Sequence, residues 1–173
     1  MLLHIVKEWL KKDLRVSVLS LSGVCYLDAA FVELGVDVRN YNLKSISNFI
    51  PGVYRLCKDL RDLRPQVVQT WMPHADLLGG TAAWLFSSAK IFWGCHHADL
   101  SLNTLKWWTL STIRVNALLS YLLPDRIVTV SKHVETQFSK FGFDKSKLCV
   151  VENGIDCLRF RKIEDARRNL VEE

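Results

Sequence analysis

No C-x-x-C pair, no G-x-G-x-x-G after a strand-like run and no long uncharged apolar stretch occurs in this 173-residue chain. Each absence removes a class of protein. The cysteines, Cys25, Cys57, Cys95, Cys149 and Cys157, are odd in number and scattered. That argues against a zinc site or a disulfide framework and fits a reducing, cytoplasmic compartment. Cys95 and Cys149 fall in or beside strand-like runs, where buried free thiols are common, and neither reads as a nucleophile. Without the glycine fingerprint, a dinucleotide-binding or nucleotide-sensing reading loses its main support. The longest apolar segment, 107–123, is interrupted by Arg114 and Asn116, so it reads as a helix lying on a sheet rather than one crossing a membrane. The first ten residues carry His4, Lys7 and Glu8 within an apolar stripe, which is not a signal-peptide pattern. No basic run is interleaved with aromatics, so no nucleic-acid partner is expected. No two acidic residues recur at matched strand tips, as paired-carboxylate glycoside hydrolysis would need.

What is present is an alternation. The chain is 49% hydrophobic and 24% charged, the composition of one soluble α/β-sized domain. Its net charge of +5 and pI near 9.0 favour anionic partners. Helical spacing of apolar residues over 1–12 is followed by a β-branched run at 16–21 that ends at Ser22-Gly23. A short helix over 26–34 is stopped by Gly35, and 36–41 alternates as a strand. The next helix is read over 51–63, starting at Pro51, with Pro65 beyond its end. Buried strands are read at 67–71, 91–95, 126–130 and 148–151, separated by helices at 75–86, 102–123 and 132–141. Gly79-Gly80 in the first of these helices permits close packing on a sheet, and Ser131 is a good N-cap for the last. The result is a doubly wound, mostly parallel α/β sheet.

One strand is missing from this pattern. A sheet of this kind normally begins with a strand that turns into its first helix, whereas here the chain starts within that helix. The stretch 157–173 reads as a linker or the lead-in to a further domain, leaving 1–156 as the folded unit.

Ligands of open α/β sheets bind beyond the carboxyl ends of the strands. Three tips carry the polar residues: His96-His97, Ser131-Lys132 and Asn153-Gly154. His96 and His97 are neighbours, so continued strand geometry points them in opposite directions. His74 follows a fourth tip through Pro73. Asp76 lies two residues on, but no third ligand stands at a recognisable spacing and no metal is expected. Lys132, beside the cap Ser131, could help hold an anion at a helix N-terminus, or simply be solvated. Gly154 suits a backbone turn at positive φ. Trp107-Trp108 suits core or interface packing first, and contact with a membrane or lipid-linked acceptor second.

Four segments carry a family resemblance. V-V-Q-T-W-M-P-H-A-D-L-L-G-G (67–80), I-F-W-G-C-H-H-A-D (91–99), P-D-R-I-V-T-V-S (124–131) and V-V-E-N-G-I-D-x-x-x-F (150–160) occur in one order. Together they resemble the N-terminal, acceptor-side domain of the retaining GT-B glycosyltransferases of the family-four group. Gln69 and Trp71 replace positions often held by His, and Glu152 replaces a usual Pro. The family's G-G-A-E loop would lie upstream of Met1 and its Glu-x7-Glu domain beyond Phe160.

The resemblance implies a catalytic role for His96, which would donate a hydrogen bond to the leaving diphosphate or position the acceptor hydroxyl. It implies acceptor contacts for His74, His97 and Asp99, and donor-phosphate or hinge roles for Ser131, Lys132, Asn153 and Gly154. The donor would be a nucleotide-sugar held with the second domain, no further cofactor is implied, and the acceptor would be a glycan or lipid-linked. Localisation is expected to be cytoplasmic, with room for a peripheral contact at the inner face of the membrane, and the chain alone is expected to be inactive. A second reading stays open: a non-catalytic α/β binding module, or a partner subunit that docks to a separate donor-binding chain.

Overall fold

A computed structural model describes residues 2–24, 26–95 and 106–154. Six helices and six strands alternate among them: α1 (Leu2–Leu10), β1 (Ser17–Ser20), α2 (Asp28–Glu33), β2 (Asp37–Asn40), α3 (Ile46–Leu63), β3 (Val67–Trp71), α4 (Pro73–Phe86), β4 (Lys90–Cys95), α5 (Trp107–Leu119), β5 (Arg126–Thr129), α6 (Lys132–Phe141) and β6 (Leu148–Val150). All described strand pairs are parallel. The α/β alternation expected from the sequence is the architecture found.

The strands form two sheets. β1 pairs with β2, and β3-β4-β5-β6 form a four-stranded sheet. No described strand pairs with β1 on the side away from β2, or with β3 on the side away from β4. In the common doubly wound order 3-2-1-4-5-6, β2 and β1 take the first two places and β3 the fourth. The division therefore falls where the sequence pattern lacked a strand. Burial agrees: every residue of β1 is only half-buried, whereas β4 is buried at Ile91 and from Trp93 to Cys95.

Strand alternation gives each face of the small sheet its own cover. Val16, Val18 and Val38 pack with Val6 of α1 and Phe31 of α2. Leu19 and Leu21 turn to the opposite core, where Tyr41, Leu56, Leu60 and Trp93 are buried and Val68 packs at the edge. Arg39 Nη1 and Tyr41 Oη donate to the two oxygens of Asp59 at 2.7 Å each, which ties the end of β2 to α3. Burial first, and the bond to Asp59 second, push the Tyr41 hydroxyl well above its ordinary pKa.

Helix α3 corrects one boundary. It begins at Ile46, so Pro51 lies inside it rather than at its start. Pro51 is exposed and falls where the missing amide costs one hydrogen bond close to the solvent-facing first turns. The helix ends at Arg64 in the left-handed region, just before Pro65.

The Gly79-Gly80 pair separates into two different roles. A Cβ on Gly80 would lie 2.7 Å from Nε1 of the fully buried Trp93, while one on Gly79 would meet Thr70 Cγ2 at an ordinary 3.5 Å. Gly80→Ala is expected to lower stability by about 1–3 kcal/mol through overpacking. Gly79→Ala should be neutral or gain up to about 1 kcal/mol from helix propensity. Thermal or denaturant melts of the two variants check the contrast, and equal effects would contradict it.

Candidate functional site

Register aligns the carboxyl ends of the four-stranded sheet. Trp71 lies opposite Gly94, Cys95 opposite Thr129, and Thr129 opposite Val150. One sheet edge therefore collects the β3–α4 turn, the end of β4, the β5–α6 turn and the segment after β6. Of the tips singled out in the sequence, the His74 turn, Ser131-Lys132 and Asn153-Gly154 lie along this edge.

His74 is exposed in the first turn of α4, behind Pro73 at the helix start. Ser131 caps α6 as expected, its hydroxyl accepting from Val134 N at 3.3 Å. Lys132 is exposed and paired with Glu135 one turn on. Asn153 and Gly154 are exposed in coil after β6. Gly154 does not take positive φ; the described glycines that do are Gly35 and Gly142. Its expected role as a left-handed turn is therefore corrected. His96, His97 and Asp99 lie outside the described residues. What the structure adds is that β4 delivers the chain to this edge at Cys95, one residue before His96.

Two features at the edge escaped the sequence reading. The first is Met72, which sits at φ 82, ψ 147 just ahead of α4. A side chain in that region costs on the order of 1–3 kcal/mol, and such strain gathers at functional sites. Met72 O accepts from Ala75 N and Asp76 N at 2.9 and 3.0 Å, which locks the turn. No sequence signal marks it, because Met carries no turn preference.

The second is Asp76. In the sequence it stands beside His74 as a candidate metal ligand that lacks a third, with no sign of its burial. Here its relative exposure is only 4%, and Thr70 Oγ1 donates to its Oδ1 at 2.5 Å. Burial pushes its carboxyl up to about 7 against the partial relief of the Thr70 bond. Beside it, burial and the Asp76 charge raise the Cys95 thiol well above its ordinary range, which keeps that sulfur protonated and unreactive. Asn116 Nδ2 donates to Pro73 O at 2.8 Å, anchoring α5 to the start of α4, while its Oδ1 is buried without a partner. Asp76, Cys95 and Asn116 line a cavity of about 10 Å³, room for one water at most. This polar cluster supports the edge from below and is too closed to hold a substrate. Among the described residues no three His, Cys, Asp or Glu side chains gather as metal ligands.

A pH dependence follows from Asp76. The unfolded carboxyl releases its proton near 3.8 and the folded one near 7. Between those values the native state binds more protons, so stability falls as pH rises through the window and stays at its lower level above it. The loss is on the order of 4 kcal/mol at most. Asp76→Asn keeps an acceptor for Thr70 and should flatten this slope. Denaturant unfolding at about pH 5 and about pH 8 checks it, and an unchanged slope in the variant would place the titration elsewhere.

Comparison with known proteins adds three findings. The family model described as Glycosyltransferase Family 4 matches residues 1–159. A crystal structure of Anabaena Alr3699/HepE in complex with UDP and glucose superposes with a TM-score of 0.74 at 16% identity, over 99% of this chain and 44% of that one. The same protein in complex with UDP-glucose gives 0.68 at 13% identity, over 91% and 49%. At these identities the likeness is one of fold, and the chain spans about half the length of the structures it matches. A search of curated protein sequences returned no significant match.

Proposed function

The chain belongs to glycosyltransferase family 4, and from that premise we propose that it is the acceptor-side domain of a retaining enzyme that moves a sugar from a nucleotide-sugar to a glycan or lipid-linked acceptor. The observation that carries this reading is the aligned sheet edge. The parallel register brings the His74 turn, the end of β4, the Ser131 cap and the Asn153 segment to one side of the sheet. The solved neighbours of the same fold hold UDP or UDP-glucose, which supports a nucleotide-sugar as donor.

Within that reading each residue has a defined task. His96 donates a hydrogen bond to the departing diphosphate or holds the acceptor hydroxyl, an interaction that strengthens as charge develops. The capped N-terminus of α6 presents free backbone amides beside Lys132, and an arriving phosphate would compete with Glu135 for that ammonium. His74, His97 and Asp99 contact the acceptor. In a retaining transfer the donor's own phosphate assists, so no paired carboxylates are required. Donor binding falls mainly to a second domain, as the half-length coverage of the neighbours suggests, and this chain alone is inactive.

Reading the genomic DNA that flanks the coding region tests the assignment. An in-frame G-G-A-E segment ahead of Met1 and a Glu-x7-Glu domain after Glu173 would support it. Stop codons on both sides, with a neighbouring gene for a donor-binding domain, would instead support a partner subunit.

A further inference from the structure

Helix α5 has two unlike faces. Outward, Trp107, Trp108, Val115 and Leu118 are exposed, so the Trp pair, expected first in the core or an interface, is not in the core. Inward, Leu110, Ile113 and Ala117 are buried, and the polar Asn116 is buried among them at 2% exposure. Its Nδ2 donates to Pro73 O at 2.8 Å. That bond also settles the amide's orientation, because the reverse one would set two oxygens against each other. Its Oδ1 is therefore a buried acceptor, and no side chain or backbone group among the described residues donates to it. An acceptor in that position is costly and calls for a donor.

The surroundings narrow what that donor is. Asn116 shares the cavity of about 10 Å³ with Asp76 and Cys95, and Ile113, Phe138 and Phe143 supply most of the apolar lining. Thr70 has one hydroxyl proton and gives it to Asp76 Oδ1, so it does not serve Asn116. The Cys95 thiol is held protonated by burial and by the Asp76 charge, and a thiol is a weak donor and a weak acceptor. The volume is about the least that holds one water, and it admits neither a hydrated cation nor a substrate group.

We propose that this cavity binds one water molecule, held between Asn116 Oδ1, the Asp76 carboxyl and the Cys95 thiol. Three polar partners are the usual number for a buried water. Water is favoured over a direct bond from Asp76 to Asn116 because of what the carboxyl does near neutrality. Burial brings it to about 7, so both of its protonation states are populated there. A direct bond exists only while the acid keeps its proton; once ionised, the pair sets two acceptors together. Water suits both states: it donates to the carboxylate or accepts from the acid, and keeps a proton for Asn116 Oδ1 in each. The bound water completes a brace beneath the His74 turn. Thr70 holds Asp76, Asn116 holds Pro73 O, and Met72 O takes the amides of Ala75 and Asp76. By joining Asp76 to Asn116, the water helps keep Met72 at its strained φ. The site needs only this cluster, so its failure would leave the sugar-transfer reading untouched.

Magic-angle-spinning NMR of the sedimented, deuterated 173-residue chain with protonated amides is the test, because sedimented protein reports local contacts whether or not the chain self-associates. A cross-relaxation peak from water to the side-chain amide of Asn116 is expected, with the sign of dipolar contact rather than of proton exchange. It should be present with Asp76 protonated and with it ionised. Cys95→Val puts a methyl group into the cavity. It should remove the peak and speed hydrogen exchange of the Ala75 and Asp76 amides by about tenfold, the factor for one lost buried hydrogen bond. Cys95→Ser keeps a polar partner for the water and should retain both the peak and the protection. A dry cavity reverses the signs: no water peak in the parent chain, and slower exchange in Cys95→Val because an apolar void has been filled. Either result overturns the proposal, as does a water peak that survives Cys95→Val. Should Cys95→Val fail to fold, the presence or absence of the peak in the parent chain still decides.

Discussion

Purified alone, the 173-residue chain is expected to self-associate or to be poorly soluble, with a broad or low-temperature melt. The reason is the divided sheet. β1 and β3 each present a side that no described strand pairs, and both strands contribute apolar residues to one core through Leu19 and Val68. A backbone group buried there without a partner costs on the order of 1–3 kcal/mol. Total stability of a domain is only about 5–15 kcal/mol, so several such groups would consume it. Open edges of this kind pair with whatever strand is available, including those of another copy. Light scattering after size exclusion, with a thermal melt, measures the effect. Adding an apolar strand ahead of α1 should raise the melting temperature and give a monomer. A sharply melting monomer without that addition would mean that the two sheets close on themselves.

The second large effect concerns turnover. In a protein that joins this chain to a donor-binding domain, His96→Ala is expected to lower the turnover number by about 10²-fold or more, the usual loss for one donor aimed at developing charge. Donor affinity should change little, because such a bond strengthens at the transition state rather than in the ground state. Initial-rate kinetics with a separate donor-binding titration distinguishes the two. A silent His96→Ala beside a damaging His97→Ala would reverse the assignment within the pair.

Much of the fold was legible because its signals are local. Apolar runs bounded by Gly, Pro and Ser marked each strand, and Gly35, Pro65 and Ser131 marked helix ends that the structure reproduces. The pattern also led to the expectation of one further strand, and the described strands divide into two sheets at that place. What the sequence concealed depends on tertiary contact. Asp76 read only as a candidate metal ligand beside His74, because nothing local reveals that it is buried against Thr70, Cys95 and Asn116. The outward face of α5 was hidden for the opposite reason: a helix apolar on every side has no periodic contrast to say which side is covered. Pro51 misled the start of α3 because proline is commoner in a first turn than beyond it. For the site, the sheet edge was predictable from alternation alone. The roles of His96, His97 and Asp99 rest on the family resemblance and lie outside the described residues.

The central claim is that this chain supplies one side of a sugar-transfer site and depends on another domain for the donor. Incubating the purified chain with a panel of UDP- and GDP-sugars, while measuring nucleotide release and donor binding by calorimetry, tests it most directly. The account predicts no turnover above blank and no nucleotide-sugar binding tighter than about millimolar, roughly −4 kcal/mol. Sugar transfer by the chain alone, or tight donor binding to it, would contradict the account.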